Sequence, residues 1–483
     1  MTDRYDWVFK TYDIRSLDHD PMDETFCYSF GRGVANYMKQ QWRWHQAVML
    51  SCDGRPSNTD FMIAFVAWLQ DGWHEHFELC NRFAESIEWQ EHPFGVCCSS
   101  FFYYCAAKLF NISIQFTASH NPPERVGCKG CDITASLYPT YEFKSMIKEY
   151  IDYPYGWTDR HQSIKQSIIQ KVDAWSVWLQ QKQQDYLDLL TQAFSLVTKP
   201  ATIVVDYSGW AAASWEKYFL ETALSQSDAP VTILSVNERI DGTFACHLSD
   251  TSIPANYTQV GDLVKRHQAD FGVMFDGDWD RIGMVDEQWA YIQGWNLVAL
   301  IARGVLKAQW NGPIVWDITC TNAVQEWVEQ EWWTYHMSRV WYRFVKQVMK
   351  ENNALFGWEL SCHFLFPETH YSEGPLLALA YVLKTLESYP TMSHEIQSIN
   401  HYVTPPLRNY TVVDKEATIQ AFKQHYKAYP INELDGVKVL GDDRRVLLRK
   451  SGTEPIIRFY CEAKSEEKVK QLTREVEAII ASL

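Results

Sequence analysis

The chain has 483 residues, which is too long for one hydrophobic core and predicts three or four domains of about 100–150 residues each. A hydrophobic share of 46%, a charged share of 22%, and the lack of a long apolar run or a signal-peptide-like start are typical of a soluble globular protein. The formal charge of −16 excludes broad nucleic-acid binding, because such binding needs a basic surface. We therefore expect a cytoplasmic protein with no membrane and no nucleic-acid partner.

The hydrophobic pattern predicts strands that alternate with helices up to about residue 388, which is typical of α/β domains. After a linker at 389–391, closely spaced strands precede a final helix, which indicates an α+β domain. The predicted elements are strand 48–51, helix 59–70, strand 112–116, a helical region from about 160 to 196, strands 202–206, 271–275 and 314–316, helices 321–331 and 375–388, strands 437–440, 446–448 and 456–462, and helix 466–483 with Ser465 as its N-cap.

The segment after the strand at 112–116 carries a nucleophile on a loop. It reads Thr-Ala-Ser-His-Asn-Pro over residues 117–122 and places Ser119 and His120 before a turn-forming Asn-Pro. The Gly-x-Ser-x-Gly elbow of hydrolases is absent, and no acidic neighbour suggests a hydrolase triad. A serine that carries a phosphoryl group needs a cation and an acid/base group nearby, for which His120 and Lys129 are candidates. Taken alone, the segment is more commonly an ordinary turn with a capping hydroxyl.

The segment 276–281 predicts a metal site at the end of the strand 271–275, where open α/β sheets bind their ligands. Asp276, Asp278 and Asp280 alternate around Gly277, so their oxygens can converge on a hard divalent cation, for which Mg²⁺ is the natural choice. The next residue, Arg281, suits phosphate recognition beside a metal. The alternative is a solvated acidic turn or a helix N-terminus.

Two later segments suit a sugar and a phosphate. Glu359, Ser361 and His363 alternate, so an extended backbone would place all three on one side, where they can hydrogen-bond sugar hydroxyls. The turn at 451–453 can hold a phosphate through hydroxyl, backbone N–H and guanidinium groups, although alone it is equally a polar hairpin end. The phosphate-binding candidates are Arg449, Ser451, Gly452, Thr453 and Arg458.

In this order and at these spacings, the segments resemble the α-D-phosphohexomutase superfamily, and Glu359-Leu360-Ser361 resembles the signature of its phosphomannomutase/phosphoglucomutase branch. The resemblance runs from Phe9 to the final helix. It implies three similar mixed α/β domains and a C-terminal α+β domain like the TATA-binding-protein fold, arranged around a central cleft. We place the domains at 1–157 with the serine loop, 158–257, 258–388 with the metal and sugar loops, and 389–483 with the phosphate loop.

The resemblance also implies a reaction. Ser119 would be a phosphoserine that exchanges its phosphoryl group with a hexose 1-phosphate or 6-phosphate, of mannose and/or glucose, through a 1,6-bisphosphate that turns around. The three aspartates and the phosphoserine oxygen would hold Mg²⁺. The partners would be small-molecule sugar phosphates, and the protein a monomer or dimer. By the same resemblance, Arg15, Arg281 and Lys129 would support the transferring phosphoryl group, and His120 or Lys129 would act as acid and base. Glu359 and Ser361 would bind the sugar 3- and 4-hydroxyls, and Tyr342 and His363 would complete the substrate-binding set. The phosphate that does not react would be bound by Arg449, Ser451, Gly452, Thr453 and Arg458.

Several positions depart from the family pattern. Trp210, Trp341 and Trp358 stand at or beside places where glycine is usual, and an indole there would strain a turn or fill the cleft if the backbone needs positive φ or a close approach. Two other hypotheses therefore stay open. One is a catalytically impaired or redesigned sugar-phosphate-binding homologue that keeps the fold. The other is a Mg²⁺-dependent phosphatase, which would leave the loops of Ser119 and Arg449 unexplained.

Overall fold

Two compact units make up the chain, one of Met1–Ile292 with Phe366–Glu387 and one of Gln293–Leu365 with Ser388–Leu483. None of the helices in the described part of the chain is both long enough and apolar enough to cross a bilayer. The computed structural model describes residues 3–10, 13–18, 20–43, 46–71, 76–80, 96–150, 160–173, 177–241, 243–309, 312–331, 333–441, 444–451 and 456–483.

The first sheet brings the serine loop to the end of a buried strand. Its elements are α1 (Asp3–Asp6), β1 (Ile14–Asp18), β2 (Pro21–Met22), α2 (Glu24–Gln40), β3 (Val48–Cys52), α3 (Asn58–Asp71), β4 (Phe77–Leu79), α4 (Ser99–Ala106), β5 (Ser113–Phe116), β6 (Arg125–Cys131) and α5 (Thr140–Ile147). The strand order is β2-β1-β6-β5-β3-β4, with β5 parallel to β3 and antiparallel to β6. The rings of Phe30 on α2 and Phe65 on α3 pack edge to face at 5.3 Å and belong to the core under this sheet.

The second sheet carries the aspartate loop. Its elements are α6 (Arg160–Asp173), α7 (Val177–Phe194), β7 (Ala201–Asp206), α8 (Trp215–Ser227), β8 (Val231–Val236), α9 (Thr258–His267), β9 (Phe271–Phe275), β10 (Ile282–Asp286) and β11 (Tyr291–Ile292), in the strand order β11-β10-β9-β7-β8. Strand β9 pairs in parallel with β7, so the domain boundary that we placed at 257/258 falls inside one sheet and needs correction. The metal loop therefore lies on the second sheet and not with the segment after residue 292.

The third sheet lies in the second unit. The elements of this region are α10 (Gly294–Ala308), β12 (Ile314–Asp317), α11 (Asn322–Gln330), β13 (Tyr335–Ser338), α12 (Tyr342–Asn352), β14 (Phe356–Glu359), β15 (His363–Phe366), β16 (Ser372–Glu373) and α13 (Pro375–Leu386), and four strands run in the order β13-β12-β14-β15. Helix α13 belongs to the first unit. Nζ of Lys384 on this helix donates to the carbonyl of Leu196 at 2.8 Å, which joins α13 to the segment that follows α7.

The fourth sheet is fully antiparallel. Its region contains α14 (Met392–Ile399), β17 (Arg408–Thr411), α15 (Lys415–His425), β18 (Ile431–Asn432), β19 (Val437–Gly441), β20 (Arg444–Lys450), β21 (Ile456–Ala463) and α16 (Glu466–Ala481), in the strand order β17-β21-β20-β19-β18. The hydroxyl of Ser465 accepts the N–H of Lys468, as predicted for the N-cap of α16. Leu472 and Val476 on this helix are fully buried against the sheet.

The predicted fold class is confirmed, because four mixed or antiparallel sheets flanked by helices follow one another along the chain. The structure describes the helical region at 160–196 as two helices, α6 and α7, and residues 174–176 lie outside the described part.

Candidate active site

Ser119 lies just beyond β5 in a left-handed backbone conformation, with φ of +55°, and is buried. Its hydroxyl donates to Oδ2 of Asp276 at 3.2 Å, and Nδ1 of His120 lies 3.4 Å from the hydroxyl oxygen of Ser119. The serine and aspartate loops, which are 157 residues apart in sequence, therefore meet within the first unit. The arrangement places a hydroxyl between a carboxylate and an imidazole.

The aspartate loop joins β9 to β10. Asp276, Asp278 and Asp280 are all buried, and one ligand oxygen from each lies within 4.8 Å of the others. Oδ1 of Asp276 accepts the backbone N–H groups of Asp280 and Arg281, both at 3.1 Å, and these bonds close the loop. A Cβ on Gly277 would lie 2.8 Å from the carbonyl oxygen of Ser119, so the two loops approach as closely as glycine permits.

Lys129, on β6, places its ammonium group against this carboxylate cluster. Its Nζ donates to Oδ2 of Asp278 at 2.8 Å and to Oδ2 of Asp280 at 2.6 Å. Burial alone would lower the pKa of Lys129, but the two carboxylates outweigh it and raise the pKa. Burial and the neighbouring carboxylates raise the pKa of Asp276 well above its usual range. Asp278, in contact with the ammonium, has a lowered pKa despite its burial.

The three carboxylates fit a divalent cation. Hard oxygen ligands at alternating positions are what Mg²⁺ and Ca²⁺ bind, and the hydroxyl of Ser119 adds a further oxygen next to Asp276. Oδ1 of Asp278 is buried and has no hydrogen-bond partner among the described residues, which leaves it available as a ligand. A cation would also relieve the repulsion that raises the pKa of Asp276.

Arg15 and Arg281 add positive charge around Ser119. The Nε of Arg281 lies 3.8 Å from Oδ2 of Asp276 and 3.6 Å from Oδ1 of Asp280. The Nη1 of Arg15 donates to the carbonyl of Thr117 at 3.4 Å, which places it beside the serine loop.

His120 is surrounded by groups that keep its imidazole neutral. Burial and the guanidinium of Arg281 lower the pKa of His120 to about 3. The carboxylate of Asp250 favours the charged form, but its Oδ2 is 4.0 Å from Nε2 of His120 and does not outweigh them. Nδ1 of His120 lies 3.4 Å from Oγ of Ser119, close enough for a proton to pass between them.

The sugar-binding candidates lie at a hairpin in the second unit, and the prediction of one extended segment is wrong. Glu359 ends β14, His363 begins β15, and the two pair across the hairpin. The chain reverses between them because Cys362 takes φ of +68° and its N–H bonds the carbonyl of Glu359 at 3.0 Å. Ser361 sits in the turn, where its N–H donates to Oε2 of Glu359 at 2.9 Å. The hairpin still gathers the carboxylate, the hydroxyl and the imidazole.

Asp317, at the end of β12, holds the turn of this hairpin through hydrogen bonds. It was not predicted as a site residue. Its Oδ2 accepts the N–H of Leu360 at 2.9 Å and its Oδ1 accepts the N–H of Thr319 at 2.7 Å. Burial, with the added repulsion of Glu359, raises the pKa of Asp317 to about 7. The ring of Tyr342 stacks on that of His363 at 5.2 Å, which places both near the same turn.

The phosphate-binding candidates lie at the turn end of the hairpin formed by β20 and β21. Arg449 and Arg458 are directly opposed in the strand register, and Nη2 of Arg449 donates to Asp435 at 2.8 Å. Ser451 is buried, and its carbonyl accepts Nζ of Lys415 at 2.9 Å. Gly452 and Thr453 lie outside the described residues. A cavity of about 820 Å³ adjoins the loop within this unit and is lined by Arg339, Val412, Val413, Asp414, Lys415, Glu416, Asp435, Gly436, Lys450 and Ser451.

The tryptophans at usual glycine positions differ in their backbones. Trp341 has φ of +110°, a conformation that strains any residue with a Cβ. Trp358 is buried within β14 and extended, and Trp210 has φ of −131°. The neighbouring Gly209 takes the positive φ, of +61°, so only Trp341 of the three carries the predicted strain.

Sequence reasoning missed three residues that hold the loops around Ser119 together. The hydroxyl of Ser99 donates to Asp278 at 2.8 Å, and no motif marked it. The hydroxyl of Thr117 accepts the N–H of Ser119 at 2.9 Å, and its place two residues before the serine was a usable signal. Arg55, which was not among the predicted site residues, is fully buried and donates to the carbonyl of Ser119 at 2.8 Å.

Three proteins illustrate what this chain is similar to. A phosphomannomutase of Methanocaldococcus jannaschii is 30% identical over 480 residues, with 99% of this chain and 98% of the relative covered. The crystal structure of a phosphoglucomutase/phosphomannomutase family protein from Burkholderia thailandensis matches with a TM-score of 0.76 and 21% identity, over 100% of this chain and 98% of that one. The crystal structure of an Aspergillus fumigatus N-acetylphosphoglucosamine mutase in complex with GlcNAc-6P and magnesium matches with a TM-score of 0.54 and 16% identity, over 79% of this chain and 92% of that one.

Four domain profiles of one family also match along the chain in their expected order. They are the phosphoglucomutase/phosphomannomutase alpha/beta/alpha domains I, II and III, at residues 6–77, 184–289 and 293–402, and the C-terminal domain, at residues 407–479. The second match includes the aspartate loop, in agreement with the sheet pairing. The chain therefore belongs to the phosphoglucomutase/phosphomannomutase family of the α-D-phosphohexomutase superfamily, and is a phosphohexomutase, an isomerase that works by phosphoryl transfer.

Proposed function

We propose that this phosphohexomutase interconverts the 1-phosphate and 6-phosphate of mannose and/or glucose, with Ser119 as the phosphoryl carrier. The observation that carries the proposal is the hydroxyl of Ser119, buried 3.2 Å from Asp276 in a cluster of three aspartates. Phosphoryl transfer needs positioning and charge neutralisation more than covalent chemistry from the protein, and this site offers both.

In the forward step, a free hydroxyl of the hexose monophosphate attacks the phosphorus of phosphoserine 119. A bond forms between the sugar oxygen and phosphorus, and the bond from phosphorus to the serine oxygen breaks. His120, whose Nδ1 lies 3.4 Å from Oγ of Ser119, takes the proton of the attacking hydroxyl and returns it to the serine oxygen. The ammonium of Lys129 and the guanidinium groups of Arg15 and Arg281 stabilise the negative charge on the transferring group.

The reverse step uses the same groups on the other phosphate. The 1,6-bisphosphate turns around, the serine oxygen attacks the second phosphorus, and the hexose monophosphate leaves with its phosphate at the other position. His120 takes the proton of Ser119 and gives it to the leaving sugar oxygen. After the two steps Ser119 again carries a phosphoryl group and His120 is again unprotonated.

Asp276, Asp278 and Asp280 would hold Mg²⁺, with the oxygen of Ser119 as a further ligand. When bound, the cation would neutralise charge on the phosphoryl oxygens and on the serine oxygen. Magnesium is our choice because the ligands are all oxygens, and because the related Aspergillus fumigatus mutase was solved with magnesium and GlcNAc-6P.

The sugar and the second phosphate would be bound by groups of the second unit. Glu359 and Ser361 are suited to the 3- and 4-hydroxyls, which glucose and mannose share, with Tyr342 and His363 beside them. The phosphate that does not react would be held by groups at the end of β20 and β21, namely Arg449, Ser451, Gly452, Thr453 and Arg458.

A coupled assay tests this proposal against the two other hypotheses. Glucose 1-phosphate or mannose 1-phosphate is supplied with Mg²⁺ and a trace of the matching 1,6-bisphosphate, and both 6-phosphate and free phosphate are measured. Isomerisation without phosphate release is the expected result. Release of inorganic phosphate would instead indicate a phosphatase, and binding without turnover would indicate an inactive homologue.

A further inference from the structure

Arg55 is fully buried, and its guanidinium lies inside the loop that carries Ser119. Its Nη1 donates to the carbonyl oxygens of Pro122 at 2.8 Å and Arg125 at 2.7 Å. Its Nη2 donates to the carbonyl oxygens of Ser119 at 2.8 Å and Asn121 at 2.9 Å. Both terminal nitrogens of Arg55 therefore donate to backbone carbonyl groups of the segment that carries Ser119.

Asp53 completes this arrangement. Its carboxylate accepts the Nε of Arg55 at 3.1 Å and the hydroxyl of Thr117 at 2.7 Å. The same hydroxyl of Thr117 accepts the N–H of Ser119. The buried pair of Asp53 and Arg55 thus fixes Ser119 at both its N–H and its carbonyl group.

The serine loop needs such support because of its backbone. Ser119 has φ of +55°, a region that residues with a Cβ occupy only when their surroundings hold them there. The rings of Trp210 and Phe244, stacked at 3.9 Å, cover the guanidinium of Arg55 at 5.4 Å and 5.7 Å. The two rings exclude water from the hydrogen bonds of the Arg55 guanidinium, which is a structural role for Trp210.

We propose that Arg55 is a positioning residue for phosphoryl transfer. It sets the direction of the Ser119 hydroxyl relative to Asp276 by holding the loop carbonyls, and it touches neither substrate nor metal. The inference rests on the proposed role of Ser119 as phosphoryl carrier. A residue with this role governs the rate of transfer to and from Ser119 and leaves the affinity for the sugar phosphate nearly unchanged.

The test compares Arg55→Lys and Arg55→Ala with the unaltered full-length protein. The rate of Ser119 phosphorylation by labelled glucose 1,6-bisphosphate and the steady-state kcat and KM are measured. We expect kcat to fall about 100-fold in R55A, with KM within about threefold of the original value. R55K should recover only part of the loss, because an ammonium presents its donors from a single point. Millimolar guanidinium ion should raise the rate of R55A.

A matched control separates positioning from general loss of stability. Arg445 is also buried, and it donates to the carbonyls of Thr319 and Cys320 and pairs with Glu462, all in the second unit. R445K should lower the melting temperature as R55K does, yet leave the rate of Ser119 phosphorylation within about twofold. The inference is overturned if the R55 variants phosphorylate Ser119 at the original rate, or if R445K slows that step as much as R55K.

The variant Ser119→Ala keeps the two proposals distinguishable. If S119A still accepts the label, the proposed carrier is wrong regardless of Arg55. If S119A is unlabelled and the R55 variants react normally, only the inference about Arg55 fails.

Discussion

Gly277→Ala probes how closely the serine and aspartate loops must approach. A Cβ at this position would lie 2.8 Å from the carbonyl oxygen of Ser119 and 2.8 Å from Oγ of Ser249. The hydroxyl of Ser249 can rotate away, but the carbonyl of Ser119 cannot, because Nη2 of Arg55 holds it at 2.8 Å. The aspartate loop must therefore move.

The size of that movement follows from the contact distances. Ordinary contact with a methyl group needs about 3.4–3.5 Å, so the loops must separate by about 0.6 Å. The hydrogen bond from Ser119 to Asp276, now 3.2 Å, would lengthen to about 3.8 Å and be lost. Misplacement on this scale costs about 10- to 100-fold in kcat. The crowding itself costs about 1–3 kcal/mol of unfolding free energy.

The assay is steady-state mutase activity across a Mg²⁺ titration, with thermal melting in parallel. We expect G277A to show a reduced kcat and to need more Mg²⁺ for half-maximal activity. Gly441→Ala is the control, because the three described atoms nearest to a Cβ there all belong to the flexible side chain of Arg444, at 3.3 Å or more. G277A with the original kcat and Mg²⁺ requirement would refute the reasoning.

Three further predictions concern other charged groups. Glu359→Gln should raise KM for glucose 1-phosphate about 10-fold or more, because a neutral amide replaces the carboxylate acceptor, whereas Glu351→Gln, at an exposed position of α12, should not change it. The variant Lys129→Met should have a lower melting temperature than the original protein in EDTA, because two buried carboxylates lose their ammonium partner. Added Mg²⁺ should restore most of the difference. An unchanged melting temperature in EDTA would count against this prediction. Burial raises the pKa of Glu216 from 4.5 to about 8, so the folded state binds the extra proton and stability must fall as pH rises through that window, by roughly 3–5 kcal/mol. Glu216→Gln should flatten this fall in melts between about pH 5 and about pH 9, while the exposed control Glu477→Gln should retain it.

The local features of the fold could be predicted because their signals are local. Strand β9 and the centre of β7, at residues 203–205, are apolar runs, as expected for strands buried on both faces. Helix α16 has both an apolar stripe and its Ser465 cap. The pairing of β7 with β9 joins residues about 70 positions apart, and no periodicity encodes it, so the boundary at 257/258 was misplaced.

The same distinction applies to the site. The alternating aspartates and the serine segment were visible as motifs. Their contact at 3.2 Å could not be predicted, because the two loops follow strands of different sheets. The hairpin after Glu359 was hidden because Cys362, and not glycine, takes the positive φ. The contacts of Arg55 could not be predicted, because a sequence cannot show that one guanidinium binds four carbonyl groups of a loop far along the chain.

The most direct test of the central claim is to locate the phosphate on the protein. The purified chain is incubated with labelled glucose 1,6-bisphosphate and Mg²⁺, digested, and the peptide that contains Ser119 is analysed by mass spectrometry. One labelled phosphate on Ser119, absent from S119A, is the predicted result, and its label should pass to the sugar phosphates when unlabelled glucose 1-phosphate is added. Isomerisation that proceeds with the label on another residue, or with no label on the protein, would contradict it.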